Sequence, residues 1–391
     1  LYPRAYHTAT LTSSNRLLVV GGPGSLTAET YDFSSNTWSA AGTLAVERYQ
    51  HTATLLPSGK VLVAGGQGTS FSILSSAELF TPSSNTWANA ASLATARRYH
   101  TATLLPNGKL LVAGGIDSLG ATLAGTEVYD PANNTWSPAA PMTAARYQHT
   151  ATLLASGRVL VAGGLTANRA SAELYDPSTD TWTPVASMAN GRFLHVAALL
   201  ASGNVLVAGG RGFSGTGAEV YDPTRNTWTA AGNLAEGRYH HTATLLATGR
   251  VVVVGGQNSA GTALLAAAEA FDIGLGFADS RRPVLTVVTD PVIIGTPVEL
   301  DGIGFAGDSE ASSGTTGSSP TNYPLVQFHR LDNNRLSWLS PDPSNPFSGT
   351  NWISVNAIGL TPGPHAMTMF VNGIPSIADV VDIIVSSIAP S

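Results

Sequence analysis

Six histidines recur along this chain, at His7, His51, His100, His149, His195 and His241, and each has an arginine three residues before it. Imidazole binds first-row metals readily and exchanges protons near neutral pH. A recurring set of this kind could therefore hold a metal, work as an acid or base, or touch a ligand. Two of the six follow a tyrosine, in Arg4-Ala5-Tyr6-His7 and Arg97-Arg98-Tyr99-His100. No Asp or Glu adjoins any of them in sequence to orient the ring for catalysis. They read first as hydrogen-bonded structural side chains, repeated because their surroundings repeat, and second as ligand contacts.

The elements that position them come from a frame of fixed spacings. From each His to the second Gly of a Gly-Gly pair is 15 residues, from Glu29, Glu78, Glu127, Glu173 and Glu219 to the following Trp is 9, and from each Trp to the next His is 13. Only the step from Gly-Gly to Glu varies, through 7, 12, 12, 9, 9 and 13 residues. Within one copy, HTATLL and KVLVAGG read as two strands joined by a glycine turn, AELYDP as a third stopped by Pro, and TWSPAA as a fourth. The second is almost continuously apolar, so it should be buried on both faces. Four antiparallel strands per repeat, with six repeats, is the signature of a propeller.

Composition agrees. Charged residues make up 11% of the chain, apolar residues 43%, and there are 41 glycines, as suits many short, tightly turned strands. In a chain so poor in charge, six Arg (Arg4, Arg48, Arg97, Arg146, Arg192, Arg238) and six Glu (the five above and Glu269) in step should form partly buried pairs. The five repeated Trp should pack between blades. The net charge is −6 and no basic stripe exists, so nucleic acid is not an expected partner. No apolar run is long enough to span a membrane, and no leader peptide is seen ahead of the first repeat. The absence of Cys excludes disulfides and thiolate chemistry.

In an up-and-down meander alternate connections share a face. The link into the first strand, which carries the His, should therefore lie on the same rim as the variable loop between strands two and three. Variable loops on a rigid scaffold are where binding resides. Their strongest side chains are Gln67, Phe71, Asp117, Arg169, Arg211, Phe213, Gln257 and Asn258, amid Ser, Gly, Thr and Ala. That mixture suits neutral polar ligands such as glycans better than phosphates.

The Gly-Gly pairs, the Glu127-Val-Tyr129-Asp130-Pro131 segment and the Trp closely resemble the kelch motif. The resemblance implies an all-β fold, a six-bladed kelch β-propeller over residues 1–278. The remainder, 279–391, offers about seven short strands and reads as an immunoglobulin-like β-sandwich, with Ser309–Asn322 as a polar loop. This domain order, the Arg281-Arg282-Pro283 junction and Gly363-Pro-His-Ala-Met-Thr-Met-Phe370 also resemble galactose oxidase-type proteins. Those enzymes use copper held by two Tyr and two His, one Tyr being cross-linked to Cys. Without Cys that radical cofactor cannot form, and His329 lacks the surrounding pattern of the second His. No cofactor is expected.

The sixth repeat has no Trp after Glu269, which leaves its fourth strand open and offers an edge for strand exchange. The functional expectation is a non-catalytic extracellular or cell-surface binding or adhesion protein that recognises a glycan or a protein through the variable-loop face. The alternative is a carbohydrate-active enzyme, a lyase or epimerase, using His, Tyr and Arg at the channel mouth. A metal oxidase ranks third.

Overall fold

The computed structural model describes residues 3–12, 16–154, 156–200, 202–212, 215–245 and 250–271, and beyond them 284–288, 290–294, 296–303, 312–313, 325–330, 336–339, 351–354, 362–371, 374–375 and 379–384. Six antiparallel meanders surround a central channel. Blade 3 is typical, with Thr101–Leu104, Leu110–Ala113, Thr126–Asp130 and Thr135–Ala139 hydrogen-bonded in that order. Blades 1, 2, 4 and 5 repeat it, and the innermost strands of successive blades lie side by side. In blade 6 the described strands are Thr242–Leu245, Val251–Val254 and Ala268–Phe271. The expected gap at residues 273–282 lies outside the described residues.

The second strand of blades 2 to 5 is buried along its whole length, as its apolar run requires. The core is divided among the blade interfaces: each of five clusters joins two neighbouring blades, for example Leu62, Ala64 and Ala77 of blade 2 with Ala102, Leu110 and Tyr129 of blade 3. The tryptophans seal these interfaces from outside. Trp136 Nε1 donates to the Ala91 carbonyl at the outer edge of blade 2, at 2.9 Å, and its ring lies 5.0 Å from that of Tyr129. Trp87, Trp182 and Trp228 do the same across their own interfaces.

Among the described residues no such cluster joins blade 6 to blade 1. Trp38 is 40% exposed, and Val254 is exposed where its counterparts Val20, Ala64, Ala113, Ala162 and Ala208 are buried.

Beyond the propeller, Val284–Val288, Glu299–Ile303 and Asn351–Ile353 form one sheet. A second contains Leu325–Arg330, Leu336–Leu339, Gly363–Val371 and Asp379–Ile384. Leu300 of the first sheet and Val326, Phe328, Met367, Val381 and Ile383 of the second share one core. His329 lies within a strand of the second sheet. From the polar loop, Ser312–Ser313 pairs antiparallel with Thr150 and Ala151 on the channel edge of blade 4.

Candidate functional site

The two invariant glycines show how the rim is built. The first Gly of each pair in blades 1 to 5 sits against the next blade. A Cβ at Gly65 would lie 2.6 Å from the Arg97 carbonyl oxygen and 2.8 Å from Cε1 of His100. The second Gly packs on its own blade's His and donates to the next blade's Arg carbonyl, as Gly66 N does to Arg97 O at 2.8 Å. Only glycine fits, because both positions also have positive φ, 62° at Gly65 and 97° at Gly66.

Each Arg of the frame is buried in its own blade. Arg97 donates from Nη1 to the carbonyls of Gly114 and Gly125, both at 2.9 Å, and from Nη2 to Glu127 at 2.7 Å. Glu127 in turn accepts the backbone N–H groups of Ala94 and Thr95, tying down the link from blade 2. All six Arg–Glu pairs of the frame form. The expected buried pairing is intra-blade, with the carboxylate reaching the inter-blade link.

Five of the six histidines are buried between blades. Nε2 of His51, His100, His149 and His195 shares a hydrogen bond with a Thr hydroxyl of the preceding blade, at 2.9–3.1 Å. Burial first, and the neighbouring frame Arg second, holds His100 and His241 down at about 3. His51, His149 and His195 are held well below the usual imidazole range by the same causes. The rings are thus neutral wedges of the scaffold, away from the mouth surface. His7, at the blade 6 side, is only partly buried.

The rim is instead built on the two residues between Arg and His, of which Tyr6 is exposed and Gln50, Leu194 and Tyr239 are buried. The residue before each His has positive φ: Tyr6, Gln50, Tyr99, Gln148, Leu194 and His240, all at 53–57°. This unusual conformation for non-glycine residues forms a belt. Gln50 N donates to Tyr6 O, Tyr99 N to Gln50 O, Gln148 N to Tyr99 O and Leu194 N to Gln148 O, at 3.1–3.3 Å. The residue after each Arg pairs through its backbone with the first residue of the variable loop, as in Tyr49–Gln67, Arg98–Ile116, Tyr147–Leu165, Phe193–Arg211 and Tyr239–Gln257. These ladders put the His-bearing link and the variable loop on one rim.

Side chains of the two tiers converge. Tyr6 lies 6.5 Å from Tyr49 and 6.0 Å from His240 between ring centroids, and Tyr99 lies 6.2 Å from Tyr147. Gln50 Nε2 donates to the Tyr99 hydroxyl, and Arg98 reaches Oε1 of both Gln50 and Gln67. Burial pushes the Tyr99 phenol up despite the nearby Arg98, so it stays protonated at neutral pH. Burial, then Arg211, pushes His240 down.

Of the loop residues singled out in the sequence, Arg169, Arg211 and Gln257 join this surface, while Gln67 is buried beneath it, accepting from Arg98 and donating to Phe71 O. Arg169 stacks on Phe193 and Arg211 on Tyr239, each 5.1 Å from the ring centroid. Phe71 stands exposed at a loop tip. Asp117 accepts from the N–H groups of Leu119 and Ala121, and Asn258 from those of Thr262 and Ala263, so both hold their own loops. Phe213 lies outside the described residues. Of the belt residues only Tyr6 and Tyr99 were singled out in the sequence; the available signal for the others was that both positions within the fixed Arg-to-His interval change from blade to blade. Among the described residues, no three His, Cys, Asp or Glu side chains come together as a metal site.

Residues 6–210 match the KLHDC2/KLHL20/DRC7 Kelch-repeats domain. The chain belongs to the kelch-repeat family. No curated protein matches it. Among solved structures, the kelch propeller is similar to YjhT, at 16% identity over 68% of this chain and 94% of that one, with a TM-score of 0.56. It is also similar to a fungal alcohol oxidase of the AA5 family in complex with copper, at 16% identity over 98% of both chains, with a TM-score of 0.49. At this identity the likeness concerns the fold alone. Among the described residues no helix is long and apolar enough to cross a membrane.

Proposed function

We propose that this kelch propeller is a non-catalytic extracellular binding protein that recognises a glycan or a protein through its variable-loop rim. One observation carries the reading. Large apolar side chains stand exposed at the rim, Leu26 at 45%, Phe71 at 80%, Leu119 at 91% and Leu264 at 81%, around a mouth where Tyr6 is 44% exposed. Exposed apolar groups mark interaction surfaces, and the three most exposed, Phe71, Leu119 and Leu264, all lie on this rim, well above Phe33 at 50% and Trp38 at 40% elsewhere on the propeller. The immunoglobulin-like reading of residues 279–391 belongs to the same proposal, as a module carried beside the propeller.

Glycan arrays and pull-downs with the chain, repeated with Phe71→Ser/Leu119→Ser and Tyr99→Ala, test it. Binding that weakens in these variants, and not in Lys60→Ser on the opposite rim, is the expected outcome. Substrate turnover lost in Tyr99→Ala or His240→Ala would instead favour the alternative, a lyase or epimerase. That alternative draws on the neutral His240 beside Tyr6.

A further inference from the structure

We infer that the mouth takes a carboxylate-bearing glycan, one containing uronic acid residues; this deepens the proposed rim binding and rests on it. The frame arginines all pair with glutamates, and the exposed Arg16, Arg158 and Arg225 pair with aspartates. Arg98, Arg169 and Arg211 make no ion pair among the described residues. All three stand at the mouth, at the junctions of blades 2 and 3, 4 and 5, and 5 and 6.

Each is held in place by an aromatic ring. Arg98 lies 4.9 Å from the centroid of Tyr99, and Arg169 and Arg211 lie 5.1 Å from those of Phe193 and Tyr239. Arg98 already gives Nη1 to Gln50 and Gln67; at Arg169 and Arg211, a guanidinium stacked on a ring leaves its N–H edge to receive a planar carboxylate in a two-pronged bond. In a chain of net charge −6, Arg169 and Arg211, stacked on rings and without a carboxylate partner among the described residues, favour an anionic ligand at that opening.

Two further observations favour a sugar over an acidic peptide. Tyr6, Tyr49, Tyr99 and Tyr147 offer amphipathic rings at the mouth. The backbone groups of the rim are also occupied with one another. Tyr49 and Gln67 exchange both amide bonds, at 2.9 and 2.8 Å, as do Arg98 with Ile116 and Phe193 with Arg211. Among the described residues these rim ladders leave their own backbone groups paired, so recognition at the rim runs through side chains, while strand pairing is seen deeper, where Ser312–Ser313 joins Thr150 and Ala151.

The test uses one polymer in two charge states, de-esterified polygalacturonate and its fully methyl-esterified form, with the full chain and its Arg169→Gln, Arg211→Gln and double variants. Arg169 and Arg211 are exposed, so the fold should persist, as thermal melting would show. The expected result is binding of the acid form at least about tenfold tighter than the ester, weakened roughly tenfold by each substitution and further by salt. Equal affinity for both forms would overturn the charge inference while leaving rim recognition of glycans standing. Poly-L-glutamate bound as tightly as polygalacturonate would overturn it in favour of an acidic peptide. Binding of neither polymer would also overturn it, and the array and pull-down tests of the rim would then stand on their own.

Discussion

Replacing Glu127 by Gln removes one charge from the blade 2–blade 3 junction with almost no change of shape. The carboxylate takes three donors, Arg97 Nη2 and Ala94 N at 2.7 Å each and Thr95 N at 3.1 Å. Both members of the ion pair are almost fully buried, with side-chain exposures of 1% and 5%. Burial already pulls the Arg97 guanidinium below its usual pKa, and Glu127 opposes that pull. A glutamine offers one acceptor oxygen in place of two and turns its own N–H2 toward donors. It also leaves Arg97 charged in a site that excludes water. Breaking one side of a buried pair costs about 3–5 kcal/mol. For a domain of this size each kcal/mol corresponds to about 2–4 °C, so the melting temperature should fall by roughly 6–20 °C. Urea unfolding followed by tryptophan fluorescence reads the loss, since Trp136 seals this junction through Ala91 and Trp87, Trp182 and Trp228 seal others. The double variant Arg97→Met/Glu127→Leu should recover much of the loss, since the desolvation of both charges disappears together. By contrast, Lys109→Gln, which breaks the exposed Lys109–Asp130 pair of the same blade, should leave the midpoint where it was. A cost for Glu127→Gln below about 1 kcal/mol, the range of surface pairs, would refute the assignment of these pairs as the locks of the ring.

Gly65→Ala should destabilise by more than about 2 kcal/mol, because its Cβ would overlap the Arg97 carbonyl and the His100 ring. Gly255→Ala should cost only about 1 kcal/mol, the left-handed backbone penalty, since its nearest contact is Leu265 O at 3.6 Å. Equal costs in urea titrations would show that the blade 6 junction is locked like the others. The histidines add a pH dependence. The folded-state value of about 3 for His100 lies below its unfolded 6.5, so between them the unfolded chain binds the extra proton. Stability is fully present above 6.5 and is lost as pH falls toward 3. At pH 5 the loss from His100 alone is about 2 kcal/mol. A urea midpoint unchanged between pH 8 and pH 5 would contradict the burial of these rings.

Much of the propeller was legible because its constraints are local and repeat. The fixed His-to-Gly interval is a strand, a turn and a strand, and the parity of a meander alone places Gln67 beside Tyr49, as found. The Arg and Glu series could be paired from their shared step, since unpaired charge is not tolerated in so apolar a core. The site was less legible. The six histidines drew attention by their chemistry, yet they sit behind the rim because the residue before each one turns left-handed. Nothing in Tyr99 or Leu194 announces a positive φ, as a Gly or Asn would; the belt is imposed by neighbouring blades through amide–carbonyl bonds. The stacking of Arg169 on Phe193 and of Arg211 on Tyr239 likewise joins residues of different blades and has no signal in local spacing.

The most direct test of recognition at the rim is a hydrogen–deuterium exchange footprint of the chain, with and without a ligand recovered from the glycan array or pull-down. Protection should be confined to the variable loops, such as 67–77, 116–126 and 165–172, and to the links that carry Tyr49, Arg98 and Tyr147. Protection of the opposite turns at 57–59 and 106–108, with the rim loops unchanged, would contradict the account.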